Sequence, residues 1–485
     1  MEGVYDITSE LPKGWERKKL GDVLTVIRGA SPRPKGDPRY FGGDIPWIMI
    51  SDITREKGKF LSLTRDHVTE EGAAKSRFLS AGTLILSNSG TVCVPKILAV
   101  DGCIHDGFVA FPELPSDFDI LYLYYYFDFI RPRIINAHRQ GITQVNLNTE
   151  IVKNIRLPVP PLPQQKLIVA EIEKQFSRLD EAVANLKRVK ANLKRYKAAV
   201  LKAAVEGRLV ETEAELARRE GRSYETGEQL LQRILETRRS QWKGKGKYKE
   251  PAAPDTTDLP ELPEGWVWAS LDQLSWDSGY GTSAKCSYEN EGPPVLRIPN
   301  IDKAAVDLTD VKYAPSNFPV SEAEALSPGD MLIIRTNGSK SLIGRAAIVT
   351  TDFQQITTYA SYLIRFRLLD DECLSTWVSS YWQSHSSRLW IEAKAATSAG
   401  QHNISMSVLA TAPVPIPSVA EQLSIVVEVD RQLSLLRRTE LQLNANLQRS
   451  NSLRQSILAR AFSGSILGAE SKDVAIPSHK EIANG

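Results

Sequence analysis

Two long stretches of the chain carry apolar residues at seven-residue spacing. The first, residues 164–206, contains no Gly or Pro and is rich in Ala, Leu, Lys and Glu, so it predicts a helix of about 40 residues, roughly 60 Å long. The second follows Pro417. The predicted helix seam consists of Ile172, Leu179, Leu186, Leu193, Val200, Val429, Leu436, Leu443 and Ile457. Because such a stripe cannot face water, we expect the two helices to pair as an antiparallel coiled coil.

Short β-type segments between turn residues precede each of these helices. The clearest segments are residues 44–50, 83–86, 330–334 and 362–366. Helical patterns at 120–131 and 373–391 are mixed with them. The pattern predicts two α+β domains separated by the pair of long helices.

The chain repeats itself. Leu-Pro-x-Gly-Trp occurs at residues 11–15 and again at 262–266. Gln144 and Pro158 return as Gln401 and Pro415, and the offset of 257 holds without a gap from about residue 144 to 209. This indicates a tandem duplication of a unit of about 250 residues, with a pseudo-two-fold arrangement expected.

The repeat and the composition together predict six segments. They are a first α+β domain (1–162), a long spacer helix (163–210), a linker (211–261) with a short amphipathic helix at 227–242, a second α+β domain (262–418), a second spacer helix (419–467) and a flexible C-terminal tail (468–485). Gly207 and Gly464 stand where helix C-caps are expected.

Composition excludes a disordered or fibrous protein, since 42% of the 485 residues are hydrophobic and 24% are charged. The net charge of +2 says nothing about partners, but residues 164–210 are locally basic and residues 262–417 acidic. Four scattered cysteines indicate reduced thiols, not a disulfide or zinc framework. With no apolar run of about 18 residues and no signal-like start, we expect a cytoplasmic protein without membrane contact.

Polar, glycine-bearing loops recur at matching places in both copies. Glycine allows backbone N–H groups to approach phosphates, and Arg, Asn, Gln, Ser and Thr can bind phosphates or base edges. The candidate DNA-binding residues of the first copy are Arg28, Ser31, Arg33, Lys35, Ser87, Asn88, Ser89, Thr91, Arg139, Gln140, Thr143 and Gln144. Those of the second copy are Tyr280, Thr282, Ser283, Lys285, Arg335, Asn337, Ser339, Lys340, Ser398, Gln401 and His402. Such loops can also be plain turns, and the basic helix face can be merely solvated.

Motifs for catalysis are missing from the sequence. It has no G-x-x-x-x-G-K-[ST] phosphate loop, no G-x-S-x-G elbow and no (N/D)-P-P-(Y/F) run of an amino-methyltransferase. His105-Asp106 is the tidiest His/acid pair, but no neighbouring residue supplies a nucleophile, so we interpret it as structural. We expect no catalytic residue and no metal site.

With these residues in view, the chain resembles the specificity (S) subunits of type I restriction–modification systems. The resemblance rests on Leu-Pro-x-Gly-Trp at the start of each half, on residues 43–48, on the Gln-x-Asn-(Leu/Ile) element, and on Pro-x-Pro before a helix that ends at Gly207 or Gly464. It covers nearly the whole chain.

The resemblance implies a non-catalytic DNA-binding subunit whose two target-recognition domains each read one half of a split site in double-stranded DNA. It also implies two methyltransferase (M) subunits, which carry S-adenosylmethionine and methylate adenine. Two restriction (R) subunits, which use ATP and Mg, complete the nuclease. This chain would bind no cofactor itself. Three alternatives remain at this point: a recognition subunit of a related non-type-I system, a coiled-coil scaffold that does not bind DNA, and a self-contained methyltransferase or nuclease.

Overall fold

The structure, a computed structural model, describes residues 10–139, 147–242, 246–302, 304–321, 324–350, 352–369, 372–398 and 400–467. By its internal contacts the chain divides into unit 1, Met1–Lys187 with Asn444–Gly485, and unit 2, Arg188–Leu443. The division falls within both long helices, so each unit combines one α+β domain with a part of each helix. The predicted C-terminal tail, 468–485, lies outside the described residues.

Unit 1 contains eleven described strands and most of the helices of the first half. The strands are β1 (Glu16–Lys19), β2 (Ile27–Arg28), β3 (Phe41–Ile48), β4 (Phe60–Leu61), β5 (Asp66–Val68), β6 (Arg77–Leu79), β7 (Leu84–Ser87), β8 (Pro95–Leu98), β9 (Gly102–Ile104), β10 (Phe108–Phe111) and β11 (Arg156–Val159). The helices are α1 (Leu20–Val23), α2 (Ile50–Arg55), α3 (Glu70–Ala74), α4 (Ile120–Arg139), α5 (Thr149–Lys153) and α6 (Leu162–Val205), of which α6 continues into unit 2.

Unit 2 repeats this plan and adds the linker helices α7 (Glu213–Glu220) and α8 (Gly227–Ser240). Its strands are β12 (Val267–Ser270), β13 (Ser275–Tyr280), β14 (Pro294–Leu296), β15 (Ile301–Asp302), β16 (Ala304–Val306), β17 (Lys312–Tyr313), β18 (Asp330–Ile334), β19 (Thr336–Asn337), β20 (Ala346–Ile348), β21 (Thr358–Tyr359), β22 (Leu363–Leu368), β23 (Ala396–Ser398), β24 (Gln401–Asn403) and β25 (Pro413–Ile416). Its further helices are α9 (Glu372–Trp382), α10 (His385–Lys394), α11 (Met406–Ala410), α12 (Val419–Phe462), which continues into unit 1, and a 3-10 turn at Ile298–Asn300.

The first five strands of the largest sheet follow an equivalent order in both domains, and the sheet of unit 2 has β15 as a sixth strand. In unit 1 the order is β2-β10-β7-β8-β4, and in unit 2 it is β13-β22-β18-β20-β16-β15. In both sheets the first three pairings are antiparallel and the next is parallel. The duplication seen in the sequence is therefore a duplication of topology, and the prediction of two α+β domains with long helices is confirmed.

The start and the end of each domain meet in a two-stranded pairing. β1 pairs with β11 antiparallel, and β12 pairs with β25 in the same way. The indole N–H of Trp15 donates to Gln164 at 2.9 Å, and that of Trp266 donates to Glu421 at 2.9 Å. The Leu-Pro-x-Gly-Trp repeat thus fastens the start of each domain to the start of its long helix.

The long helices pack along their apolar faces within each unit. In unit 1, Arg454 of α12 lies over the Phe176 ring of α6, and Phe462 belongs to the same buried cluster as Ile168 and Ile172, so the helices run antiparallel. In unit 2, the Tyr196 hydroxyl donates to Gln432 at 3.0 Å. All nine predicted seam residues are buried or half-buried. The seam is most deeply buried towards the two domains, at Ile172, Val200 and Val429.

Each long helix is followed, two residues after its last residue, by the predicted glycine, Gly207 or Gly464, which has a positive φ. Gly464 lies against Pro12 and Trp15, and a Cβ there would come within 2.2 Å of Pro12 Cγ. Gly207 lies in the same way against Pro263 and Trp266. Each helix therefore ends on the opening turn of the other copy of the repeat.

One helix prediction was wrong in detail. Residues 373–391, read as one helix, form α9 and α10 with a break between them. The Ser384 hydroxyl accepts from the Ser387 backbone N–H at 3.3 Å and starts a new helix as its N-cap. None of the helices in the described ranges is both long and apolar enough to cross a lipid bilayer.

Candidate nucleic-acid interface

The predicted loops of the first domain leave one edge of its largest sheet. Arg28 ends β2 and Ser87 ends β7, while residues 105–107 lead into β10, which lies between these two strands. Because neighbouring antiparallel strands alternate in direction, two strand ends and one strand start meet at the same edge. Segments that are up to 78 residues apart in the sequence come into contact there.

Four of the predicted residues gather around Asp106. Arg28 Nε and the Asn88 side-chain amide donate to the Asp106 carbonyl oxygen at 3.1 and 3.2 Å. The Ser31 hydroxyl donates to Asp106 Oδ1 at 3.0 Å, and Arg33 Nη2 lies 3.7 Å from Asp106 Oδ2. The sequence pattern did not identify Asp106 as the centre of this cluster, because its contacts are made only in the folded chain.

Two of the candidate residues in the 87–91 loop are buried. The Ser87 hydroxyl donates to the Thr91 carbonyl and accepts from the Val94 backbone N–H at 2.9 Å, so Ser87 closes the turn and is unavailable to a ligand. Its assignment as a DNA-contacting residue is therefore corrected. Asn88 is 1% exposed and supports the loop through its amide, whereas Ser89 and Thr91 are half-buried at the turn.

The charged part of the first loop remains at the surface. Arg28, Arg33 and Lys35 are exposed. Lys35 also lines a cavity of about 570 Å³ together with Trp47 and Arg65. Arg28 and Arg33 contact Asp106, and together with Lys35 they form a cationic surface that can approach an anionic polymer.

In the second domain the same sheet edge carries different side chains. The Arg335 guanidinium lies over the Tyr280 ring at 4.8 Å, and its Nη1 donates to the Ser361 carbonyl at 3.3 Å. The Tyr280 hydroxyl accepts from the Met406 backbone N–H at 3.2 Å. Stacking on an aromatic ring holds the planar guanidinium in a fixed orientation.

A small three-stranded sheet, β19-β24-β23, brings further candidates together. In its register Asn337 faces His402, and Ser398 faces Gln401. His402 Nδ1 lies 2.9 Å from the Thr397 hydroxyl, and the Thr336 hydroxyl donates to Gln401 Oε1 at 3.3 Å. The loop at 335–340 and the paired strands β23 and β24 therefore form one surface.

The remaining candidates of the second domain lie around this surface. Thr282 Oγ1 accepts from the Ala284 backbone N–H at 3.0 Å, while Ser283 and Lys285 are exposed. Ser339 shares a hydrogen bond with Ser341 at 2.9 Å, and Lys340 Nζ lies 4.0 Å from Glu392. Lys340 is thus partly neutralised, whereas no ion pair is made by Lys285 within the described part of the chain.

The two sites are built on equivalent backbone positions. The Leu147 N–H donates to the Asn88 carbonyl at 2.8 Å, and the Ile404 N–H donates to the Arg335 carbonyl at 2.9 Å. The side chains of Asn88 and Arg335 then donate to the main chain of Asp106 and Ser361. The frame is repeated, but the side chains that it presents differ.

A glycine is required in each frame where the first loop crosses the sheet edge. A Cβ on Gly29 would lie 2.1 Å from the His105 carbonyl oxygen, and one on Gly281 would lie 2.2 Å from that of Tyr359. Only a residue without a side chain allows this approach.

Several predicted residues are not covered by this description. Gln140, Thr143 and Gln144 lie outside the described residues, as do the side chains of Arg139 and Ser398. Within the described ranges, no group of three His, Cys, Asp or Glu side chains is arranged to hold a metal ion.

The chain is a duplicated protein in which two equivalent α+β domains present different polar loops. Residues 12–195 match the family described as "Type I restriction modification DNA specificity domain". Over 464 residues the chain is 25% identical to the type I restriction enzyme EcoKI specificity subunit of Escherichia coli (strain K12), a match that covers 94% of this chain and 90% of the relative. The StySPI specificity subunit of Salmonella potsdam is likewise 25% identical over 465 residues, with 94% and 90% covered.

The fold is also similar to a solved structure. A chain from a study of complex assembly and conformational transition of the type I R-M system superposes with a TM-score of 0.63 at 19% identity, covering 94% of this chain and 99% of that one. The sequence and family matches confirm the predicted resemblance: this chain is similar over nearly its whole length to type I specificity subunits. These matches also support the prediction that this chain is a non-catalytic subunit.

Proposed function

We propose that this chain is the DNA sequence-recognition subunit of a type I restriction–modification complex. It binds an asymmetric bipartite target in double-stranded DNA and directs adenine methylation and restriction by partner M and R subunits. In that complex S-adenosylmethionine is held by the M subunits, and ATP with Mg by the R subunits. The complex acts in the cytoplasm.

One observation carries this proposal. Both domains present loops from the same edge of a repeated sheet, but the loops differ, with Arg28, Ser31 and Asp106 in one and Tyr280 and Arg335 in the other. Equivalent frames dock on DNA in the same manner, while different side chains read different bases. This combination favours two unlike half-sites.

The exposed polar groups are of two kinds, those suited to phosphate contacts and those suited to base contacts. Exposed cations such as Arg33, Lys35 and Lys285 contact phosphates and make binding dependent on salt. Amide, hydroxyl and guanidinium groups at the sheet edge, including Arg335 and Gln401, are suited to base edges in the major groove.

A domain exchange tests the proposal. Residues 262–418 are replaced by the corresponding domain of a relative, the variant is expressed with its M partner, and methylated adenines are mapped by sequencing. We expect one half of the methylated motif to change and the other half to persist. If both halves change, or if the wild-type complex methylates without a motif, modular reading by this chain is refuted.

A further inference from the structure

Asp106 is an acidic residue at the centre of a cationic loop cluster. Its Oδ1 accepts from the Ser31 hydroxyl at 3.0 Å and lies 3.0 Å from His105 Nε2. Its Oδ2 is 3.7 Å from Arg33 Nη2 and accepts no hydrogen bond from the described part of the chain. The side chain is 33% exposed, Oδ1 is held by Ser31, and Oδ2 accepts no hydrogen bond from a described residue that a ligand would have to displace.

The surroundings of Asp106 hold it in one orientation. His105 Nδ1 accepts from the Gly107 backbone N–H at 2.9 Å, so the ring proton of neutral His105 resides on Nε2, which lies 3.0 Å from Asp106 Oδ1. Burial lowers the pKa of His105, which favours the neutral form of the ring, while the charge of Asp106 acts in the opposite direction. The Trp47 ring packs on His105 with centroids 5.6 Å apart. The acceptor is therefore pre-positioned before any ligand arrives.

The chemistry of an open carboxylate oxygen selects its partner on DNA. An ionised carboxylate is negatively charged and only accepts hydrogen bonds. Phosphates are also anionic acceptors, so the carboxylate is repelled by them. In the major groove the exocyclic amines of cytosine (N4) and adenine (N6) are the donors that it can bind. Arg28, Arg33 and Lys35 supply the phosphate contacts that bring a negative side chain to this surface.

We propose that Asp106 is a specificity-determining residue of the first domain, which accepts a hydrogen bond through Oδ2 from the exocyclic amine of a cytosine or adenine. Ser31 and His105 are its positioning residues. The inference rests on the proposed DNA-recognition function. At the equivalent position the second domain has Ser361, whose hydroxyl both donates and accepts, so the two half-sites differ at this point.

The test compares Asp106→Asn with Ser361→Ala in the complete methyltransferase complex. Methylated adenines are mapped by sequencing, and binding is measured by fluorescence anisotropy on the wild-type target and on duplexes changed at single positions. With Asp106→Asn we expect one position of one half-site to lose about tenfold in discrimination, while the other half-site stays unchanged. Ser361→Ala is expected to leave unchanged the half-site that Asp106→Asn alters.

Other outcomes overturn the inference. An unchanged motif, or an equal gain of affinity for all sequences, would mean that Asp106 only neutralises the neighbouring cations. If Asp106→Asn fails to fold, Ser31→Ala replaces it. This variant keeps the carboxylate but removes the hydrogen bond that Ser31 donates to Oδ1 and the one that it accepts from the Asp106 backbone N–H, and it is expected to weaken discrimination at a single position. A wild-type complex without any sequence preference would refute the proposed function itself, which distinguishes the two failures.

Discussion

At the scale of single residues, the two copies of the repeat differ at one equivalent position near the start of each long helix. Trp15 donates to the neutral Gln164, whereas Trp266 donates to Glu421, which is 3% exposed and also accepts from the Glu213 backbone N–H at 3.2 Å. Burial raises the pKa of Glu421 above its ordinary value of 4.5, and the charges of Glu213 and Glu215 add to this effect. A buried carboxylate thus stands where the other copy has an amide.

We therefore expect Glu421→Gln to remove a pH-dependent loss of stability. Because the folded state binds the Glu421 proton more tightly than the unfolded state does, the contribution of this group to folding stability is greatest below its unfolded pKa and declines as the pH rises through the raised folded value. The difference in unfolding free energy between variant and wild type is followed from about pH 4 to about pH 8 by denaturant titration.

The variant is expected to gain stability relative to the wild type as the pH rises. Gln164→Glu serves as the reciprocal control and should introduce a weaker dependence, because position 164 is only half-buried. If the unfolding free energies of Glu421→Gln and the wild type changed in parallel with pH, the raised pKa of Glu421 would be contradicted.

At the scale of elements, the long helix α12 exposes apolar side chains on the side away from its packed seam. Leu423 and Val427, one turn apart, are 55% and 60% exposed, while Ile425 and Val429 on the same helix are buried. A contiguous exposed apolar patch can mark a surface that binds another protein, and on this helix Leu423 and Val427 are neighbours on one face. Under the proposed function the partner is an M subunit.

We expect the double substitution Leu423→Glu and Val427→Glu to weaken M-subunit association at least tenfold, because it places two charges in an apolar contact. Co-purification and analytical ultracentrifugation measure the association, and thermal melting measures folding. Gln442→Glu, which adds a charge at an exposed polar position of the same helix, is the matched control. Equal association of all three proteins would exclude this face from the contact.

The elements differ in how far the sequence alone predicts them. The heptad pattern and the absence of Gly and Pro in residues 164–206 predict α6 almost to its ends, since helix formation depends on local residues. The two-residue strands β2 and β4 are not predictable in this way, because they exist only through pairing with distant strands.

The candidate site shows the same limit. Glycine-bearing polar loops identify Arg28, Ser31 and Arg335 from the sequence, but the place of Asp106 depends on a contact with Ser31 across 75 residues. Likewise, Ser87 lies in a loop whose composition is typical of a binding site, but its hydroxyl makes the hydrogen bonds that close the turn. Local pattern predicts which loops matter, and only tertiary structure decides which side chains they present.

At the scale of the whole molecule, the core of unit 1 depends on residues from both ends of the chain. The Phe462 ring lies 5.2 Å from the rings of Tyr122 and Tyr126 and 5.3 Å from that of Phe129, and it is fully buried. Phe462→Ala should therefore destabilise unit 1 by about 3–5 kcal/mol. Leu453→Ala, at a position of the same helix that is 47% exposed, should cost about 0.5 kcal/mol or less.

Hydrogen exchange with mass spectrometry locates the effect. Protection in β7, β10 and α4 is expected to fall in Phe462→Ala, while protection in β18 and β22 of unit 2 is retained. Loss of protection spread evenly over both units would show that the aromatic contact is not local to unit 1.

The discontinuity of unit 1 has a consequence for the newly made chain. Tyr122, Tyr126 and Phe129 leave the ribosome more than 300 residues before Phe462, the ring that covers them. Until translation has passed α12, the first domain carries an uncovered aromatic surface and cannot complete its interior. Its maturation therefore depends on the synthesis of α12, and a product terminated before Phe462 would expose these aromatic rings to chaperones and proteases.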